Sequence, residues 1–274
     1  MPSNNTPPPF FDAHFHIIDT DYPIIENNGF TPESYRIPNY MLEVDSFEVL
    51  GGAVVSGSFQ GTDQGYLIHS LRNLGPGFVG VTNLPIDSTD QQILALDEHG
   101  IRAARINLFR GAATTAKDVR EIAHRVFDLA GWHIELYLDS SMLGSLETLL
   151  PTLPAASIDH LGLRLDGIGT LCRLAEQGIR IKATGFGRLD WQPLESLQLL
   201  NNVNPECLMF GTDLPSTRAR QRFGSEHYRL ITDSFDDQDV ARILVQNALK
   251  FYRLEILRAK SDDAARLHRV SSAE

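Results

Sequence analysis

Cysteine is nearly absent: Cys172 and Cys207 are the only two in 274 residues. They fit no disulfide framework and no cysteine-based zinc spacing, so a reducing cytoplasm is the expected setting. Long apolar runs are missing too, and none approaches the ~20 residues of a membrane span. The stretch MPSNNTPPPFF has neither the basic nor the apolar region of a secretory signal. Positive charge is scarce, with 24 Lys and Arg against 35 Asp and Glu and a net charge of -11. That balance argues against non-specific binding to nucleic acid or to an anionic membrane. What is present is 42% hydrophobic and 22% charged residues, the composition of a globular chain able to build one barrel or doubly wound sheet.

Two textures alternate along the chain. β-branched and apolar runs recur at GGAVVSGSF (51–59), GFVGVTNLP (77–85), IRAARINLF (101–109), WHIELYLD (132–139), ASIDHLGL (156–163), GIRIKATGF (178–186) and CLMFGTDLP (207–215). Helical patterns lie between them. Residues 88–100 have Ser88 as N-cap and Gly100 as stop; 115–131 carry Ile122, Val126 and Leu129 on one stripe; 166–178 and 237–252 read alike. Strand starts recur at intervals of roughly 25 residues, the length of a βα unit. With the opening strand this makes about eight units, which predicts one distorted (β/α)8 TIM barrel over residues 10–258. Residues 1–9 and 259–274 are expected to be tails. The irregular segment from Asp19 to Ser46 follows the first strand on the face where barrels build active sites, so it reads as a lid or substrate loop.

The opening strand, FFDAHFHIIDT, sets polar groups on every second residue. Alternation places Asp12, His14 and His16 on one face and Phe11, Ala13 and Phe15 on the other. In isolation these are either ordinary polar residues or the lining of a cavity. The same parity turns Ser56, Ser58, Arg105, Asn107, Glu135, Tyr137, His160, Lys182, Thr184 and Asp213 inward. A core built only for packing would not gather so many polar groups, each costing roughly 1–3 kcal/mol if buried unpaired. The convergence favours a site. Lys182 also has a structural reading, paired with Glu135. His69, His99, His124, His133 and His227 read as structural or exposed.

The segments FDAHFHI, SGSFQGTD, IDHLG, KATGFGR and GTDLPSTRA together resemble the amidohydrolase superfamily, in its amidohydrolase-related branch of 2-pyrone-4,6-dicarboxylate lactonase and kindred lactonases. The likeness runs from about Phe11 to Tyr252. It implies that His14, His16 and His160 are active-site histidines and that Asp213 activates water. It implies a substrate-binding role for Ser58, Arg105, Tyr137 and Arg188, with Arg110 near a further family arginine. Arg218 stands where the family has an asparagine.

The implied reaction is opening of a small anionic lactone. Asp213 acts as general base on water, and the histidines, partly protonated, stabilise the carbonyl oxygen. No metal is favoured. Asn107 ends the fourth strand where binuclear members carry a bridging group, and Tyr137 stands where mononuclear zinc members carry histidine. The alternatives are a zinc-dependent hydrolase or decarboxylase, with Zn²⁺ on His14, His16 and Asp213, and a non-catalytic binding barrel.

Overall fold

The computed structural model describes residues 7–109 and 114–254. Arg110, most of the expected N-terminal tail and all of the expected C-terminal tail lie outside them. Eight strands form one parallel sheet in chain order: β1 (Phe10–Phe15), β2 (Val49–Val55), β3 (Phe78–Asn83), β4 (Ile101–Asn107), β5 (His133–Tyr137), β6 (Ala156–Ile158), β7 (Arg180–Ala183) and β8 (Leu208–Phe210). Just beyond β8 the seam with β1 is drawn together by two backbone bonds of 2.7 Å, His16 N–H to Leu214 C=O and Asp213 N–H to His14 C=O. The architecture is the expected (β/α)8 barrel, nearly closed.

Helices α1 (Ile37–Glu43), α2 (Gly65–Leu74), α3 (Asp90–Glu98), α4 (Ala116–Ala130), α5 (Leu143–Leu146), α6 (Ile168–Glu176), α7 (Leu194–Val203), α8 (Ser225–Thr232), α9 (Asp237–Ala241) and α10 (Asn247–Phe251) fill the connections. The sequence accounts for most of their ends. In α4, Thr115 accepts from Asp118 N–H and Gly131 closes the helix at φ 65. Val119, Ala123 and Val126 form its buried stripe, while Ile122 and Leu129 pack at its margin. The cap of α3 is Thr89 rather than Ser88, because Thr89 reaches Gln92 N–H whereas Ser88 is itself buried. The run 237–252, read as one helix, carries a π-helical turn at Arg242–Gln246 between α9 and α10. No described helix is long and apolar enough to cross a membrane.

Two expectations at the first strand need correction. The segment 19–46 is not simply a loop: it contains α1 and the bridges Ile18–Tyr35 and Asn27–Phe30. Nor does β1 alternate strictly, since its register against β2 shifts between Asp12 and Phe15. Asp12 and Phe15 consequently meet the same side chain of α1. Tyr40 donates to Asp12 Oδ2 at 3.1 Å and stacks on Phe15 at 3.9 Å. Asp12 also accepts from Thr212 and from His14 N–H, so it ties β1 to the end of β8. The shift separates it from the histidine pair.

Candidate active site

Polar side chains converge where the strands end. His14 and His16 come from the end of β1, Arg105 and Asn107 from β4, Glu135 and Tyr137 from β5, and Lys182 from β7. His160 and Asp213 sit just past β6 and β8 in left-handed backbone, at φ 52 and 59. Such conformations cost non-glycine residues on the order of 1–3 kcal/mol each and cluster at functional sites. Gly185, at φ 64, is needed for packing as well: a Cβ there would stand 2.5 Å from His160 Nδ1.

A small cleft opens over these residues. Among its lining are His16, Ser58, Arg105, Tyr137, His160, Arg188 and Arg218, so all the described residues expected to bind substrate share one cavity. No carboxylate is among the described lining residues. His14 and Asp213 lie buried behind it; the His14 ring meets those of His16 and His160 edge-on, at 5.1 and 4.7 Å. Arg218 bonds the Asn27 carbonyl and lies over the Phe30 ring at 4.4 Å, which brings the segment after β1 to the mouth. Ser56 was expected inward, but its hydroxyl pairs with Tyr66 of α2 at 2.7 Å because β2 and its alternation end at Val55.

Three arginine or lysine pairs stand around this cavity among the described residues, two of them buried on both sides. Arg188 grips Asp213 through Nε and Nη2, at 2.5 and 2.9 Å. Arg105 grips Asp159 through Nε and Nη2, at 3.2 and 2.9 Å, and lies over the Tyr137 ring at 4.9 Å. Lys182 bonds Glu135 at 2.5 Å, the structural pairing read from the sequence. Asp159 is the residue that sequence reasoning missed. Strand alternation put it opposite His160, but β6 ends at Ile158 and the left-handed turn lets both carry inward. The signal was an aspartate beside a histidine in an apolar run.

The protonation states follow from neighbours. Burial pushes the Asp213 carboxyl up, but the Arg188 guanidinium more than offsets this and holds it well below the usual range. Burial drives His160 down to about 3 despite Asp213, and it drives His14 well below its ordinary value, with Lys182 adding to the effect. The expectation that these two histidines are partly protonated is therefore corrected: desolvation keeps both rings neutral near pH 7. His16 donates through Nδ1 to the Val55 carbonyl at 2.7 Å, which leaves Nε2 facing Asp213 Oδ1 at 3.6 Å. His160 pairs Nδ1 with the Thr184 hydroxyl at 2.8 Å and presents Nε2 to the same Asp213 oxygen at 3.9 Å.

Two buried groups have the side-chain types that can hold a metal. His14, His160 and Asp213 bring ligand atoms within 4.8 Å of one another, as do His14, Glu135 and Asp159. The first differs from the expected set by having His160 in place of His16. His14 Nε2 is buried without a hydrogen-bond partner.

Residues 11–254 match the family model described as Amidohydrolase. Solved structures share the fold. A protein from Acinetobacter baumannii, assigned as a 2-pyrone-4,6-dicarboxylic acid hydrolase and holding citric acid, is 22% identical; the match covers 89% of this chain and 98% of that one, with a TM-score of 0.78. A Pseudomonas putida protein assigned the same activity is also 22% identical, over 90% of this chain and 98% of its own, with a TM-score of 0.76. An Agrobacterium tumefaciens protein solved in its apo form is 18% identical over 92% and 98%, with a TM-score of 0.80.

Proposed function

The chain belongs to the amidohydrolase family, and from that premise we propose that this hydrolytic enzyme opens a small anionic lactone, of the 2-pyrone dicarboxylate or muconolactone type, without a metal. The observation that carries the reading is the cleft lining: Arg105, Arg188 and Arg218 face it, no described lining residue is acidic, and the chain as a whole carries -11. Guanidinium groups bind carboxylates through paired, charge-assisted bonds. The Acinetobacter relative holds citric acid, itself a carboxylate-rich molecule.

Asp213 Oδ1 stands 3.6 and 3.9 Å from ring nitrogens of His16 and His160, too far for good direct bonds. A water between them would be oriented by all three groups. Its oxygen attacks the lactone carbonyl carbon while its proton passes to Asp213. The carbonyl π electrons move to oxygen, where imidazole N–H donors stabilise the charge. Collapse then breaks the ring C–O bond, and Asp213 returns its proton to the leaving oxygen. Arg188 links binding to this chemistry. A substrate carboxylate that shares its N–H groups relaxes the hold on Asp213 and makes the carboxylate a better base.

The charge count supports a metal-free site. Three cations, the buried Arg105 and Lys182 and the partly buried Arg188, already match the three buried carboxylates they touch, Asp159, Glu135 and Asp213. A dication would find all three of these carboxylates already paired, and the buried Asp12 is held by Tyr40 and Thr212 instead. The test is hydrolysis of 2-pyrone-4,6-dicarboxylate, followed by ultraviolet absorbance, before and after chelation. The expected result is turnover that survives chelation and falls when the carboxylates are esterified. Folded protein inert toward every carboxylated lactone would sink the reading. The convergence of His14, His160 and Asp213 favours a second one, a single zinc ion. Stoichiometric zinc, with activity lost on its removal, would establish that instead.

A further inference from the structure

Lys182 is fully buried beneath the cleft, and the proposed reaction gives it no step. Its ammonium has three N–H donors and nothing to accept with. One goes to Glu135 Oε2 at 2.5 Å and one to His14 Nδ1 at 3.3 Å, while Asp159 Oδ1 lies 3.9 Å away. Glu135 is itself held in place: its other oxygen accepts from the hydroxyl of Tyr252, just past α10, and faces His133 Nε2 at 3.2 Å. The lysine therefore stands in a fixed position against one nitrogen of His14.

That contact has a consequence for the other nitrogen. Because Lys182 only donates, His14 Nδ1 must accept, and a neutral imidazole then carries its proton on Nε2. We infer that Lys182, oriented by Glu135, is a positioning residue that fixes His14 as an Nε2–H donor beneath the cleft and thereby denies that nitrogen to a metal ion. A metal needs a lone pair on the ligating nitrogen, and its outer partner is ordinarily a hydrogen-bond acceptor such as a carboxylate or carbonyl. A lysine in that outer position reverses the arrangement. Asp159 Oδ1, only 3.5 Å from His14 Nδ1 and without a hydrogen bond, is the acceptor that would take over if Lys182 were removed. The inference rests on the metal-free reading for its role in catalysis, but the tautomer is a property of the resting protein.

The experiment is a long-range ¹⁵N–¹H correlation spectrum of the labelled full chain, with the His14 signals identified by their loss in His14→Gln. Wild type is expected to show the proton on Nε2. Lys182→Met alone would leave Glu135 buried and unpaired, so the comparison protein is Glu135→Gln/Lys182→Met, which removes both charges together. In it the proton is expected to move to Nδ1, and zinc chloride is expected to bind tighter by on the order of 10- to 100-fold, the usual weight of a metal site's outer partner. A proton on Nδ1 in wild type overturns the inference. So does a double variant with an unchanged tautomer, or with unchanged zinc affinity. None of these readouts needs a lactone, so a failed search for substrate would leave them standing.

Discussion

Two buried aspartates flank the seam where β1 meets the end of β8, and they behave in opposite ways. Asp12 is surrounded by neutral donors, namely the Thr212 hydroxyl, the Tyr40 hydroxyl and two backbone N–H groups; burial outweighs them and pushes it up to about 6. Asp213 is just as buried, yet the Arg188 guanidinium holds it well below the usual carboxylate range. Burial alone therefore does not mark a catalytic group. A full counter-charge keeps a carboxylate ionised in a dry site, whereas neutral donors leave it close to taking up a proton. On this basis Asp12 is a structural clasp and Asp213 the group poised for chemistry.

The sharpest way to break the contrast is Asp213→Asn. Loss of a general base typically lowers rate by about 10²–10⁴-fold, and the expected outcome is a kcat loss of that size with lactone binding retained; a variant with full activity would remove Asp213 from the mechanism. Asp159→Asn comes next. It strands the Arg105 guanidinium in the interior, for which ~3–5 kcal/mol of stability should disappear in urea unfolding. An unchanged midpoint and slope would mean that Asp159 is not the counter-ion that the geometry shows. Arg218→Met removes a charged donor at the mouth and should raise KM by about 10- to 100-fold with little change in kcat. A fall in kcat alone would instead place Arg218 at the reacting atoms.

The smallest effect is expected from Asp12→Asn, which should leave turnover alone and alter only the pH dependence of stability. The Asp12 carboxyl binds its proton more tightly in the fold, at about 6 against the ordinary 3.8. Its contribution is complete below about 3.8 and is lost as pH rises through about 6. The asparagine variant should lack that decline in unfolding measurements across this window. The Asp213 contribution has the opposite sign: it is present above the unfolded value and lost as pH falls through the depressed one. A variant profile identical to wild type between pH 4 and 6 would show that Asp12 does not titrate as its surroundings dictate.

Much of this was legible in the sequence because it depends on local periodicity. The repeat of strand and helix patterns foretold a barrel, and the polar residues within apolar strands foretold several that share a cavity: His16, Ser58, Arg105, Tyr137 and His160 line one cleft, together with Arg188 and Arg218, which the family resemblance implied. The helical pattern read over 115–131 matches α4, which Thr115 caps and Gly131 closes. Parity failed where a strand stopped being regular. The register shift in β1 carried Asp12 over to Tyr40, and the turn after β6 brought Asp159 inward beside His160.

What the sequence determined by itself was the barrel and the list of residues able to do chemistry in it, since spacing along a strand decides which face a side chain takes. Tertiary structure alone decided their electrical states. Asp213 answers to Arg188, Arg105 to Asp159, and His14 to Lys182, which is 168 positions away along the chain but 3.3 Å away in space. Protonation depends on which charges stand within a few ångströms in a dry interior, and closure of the barrel sets those distances.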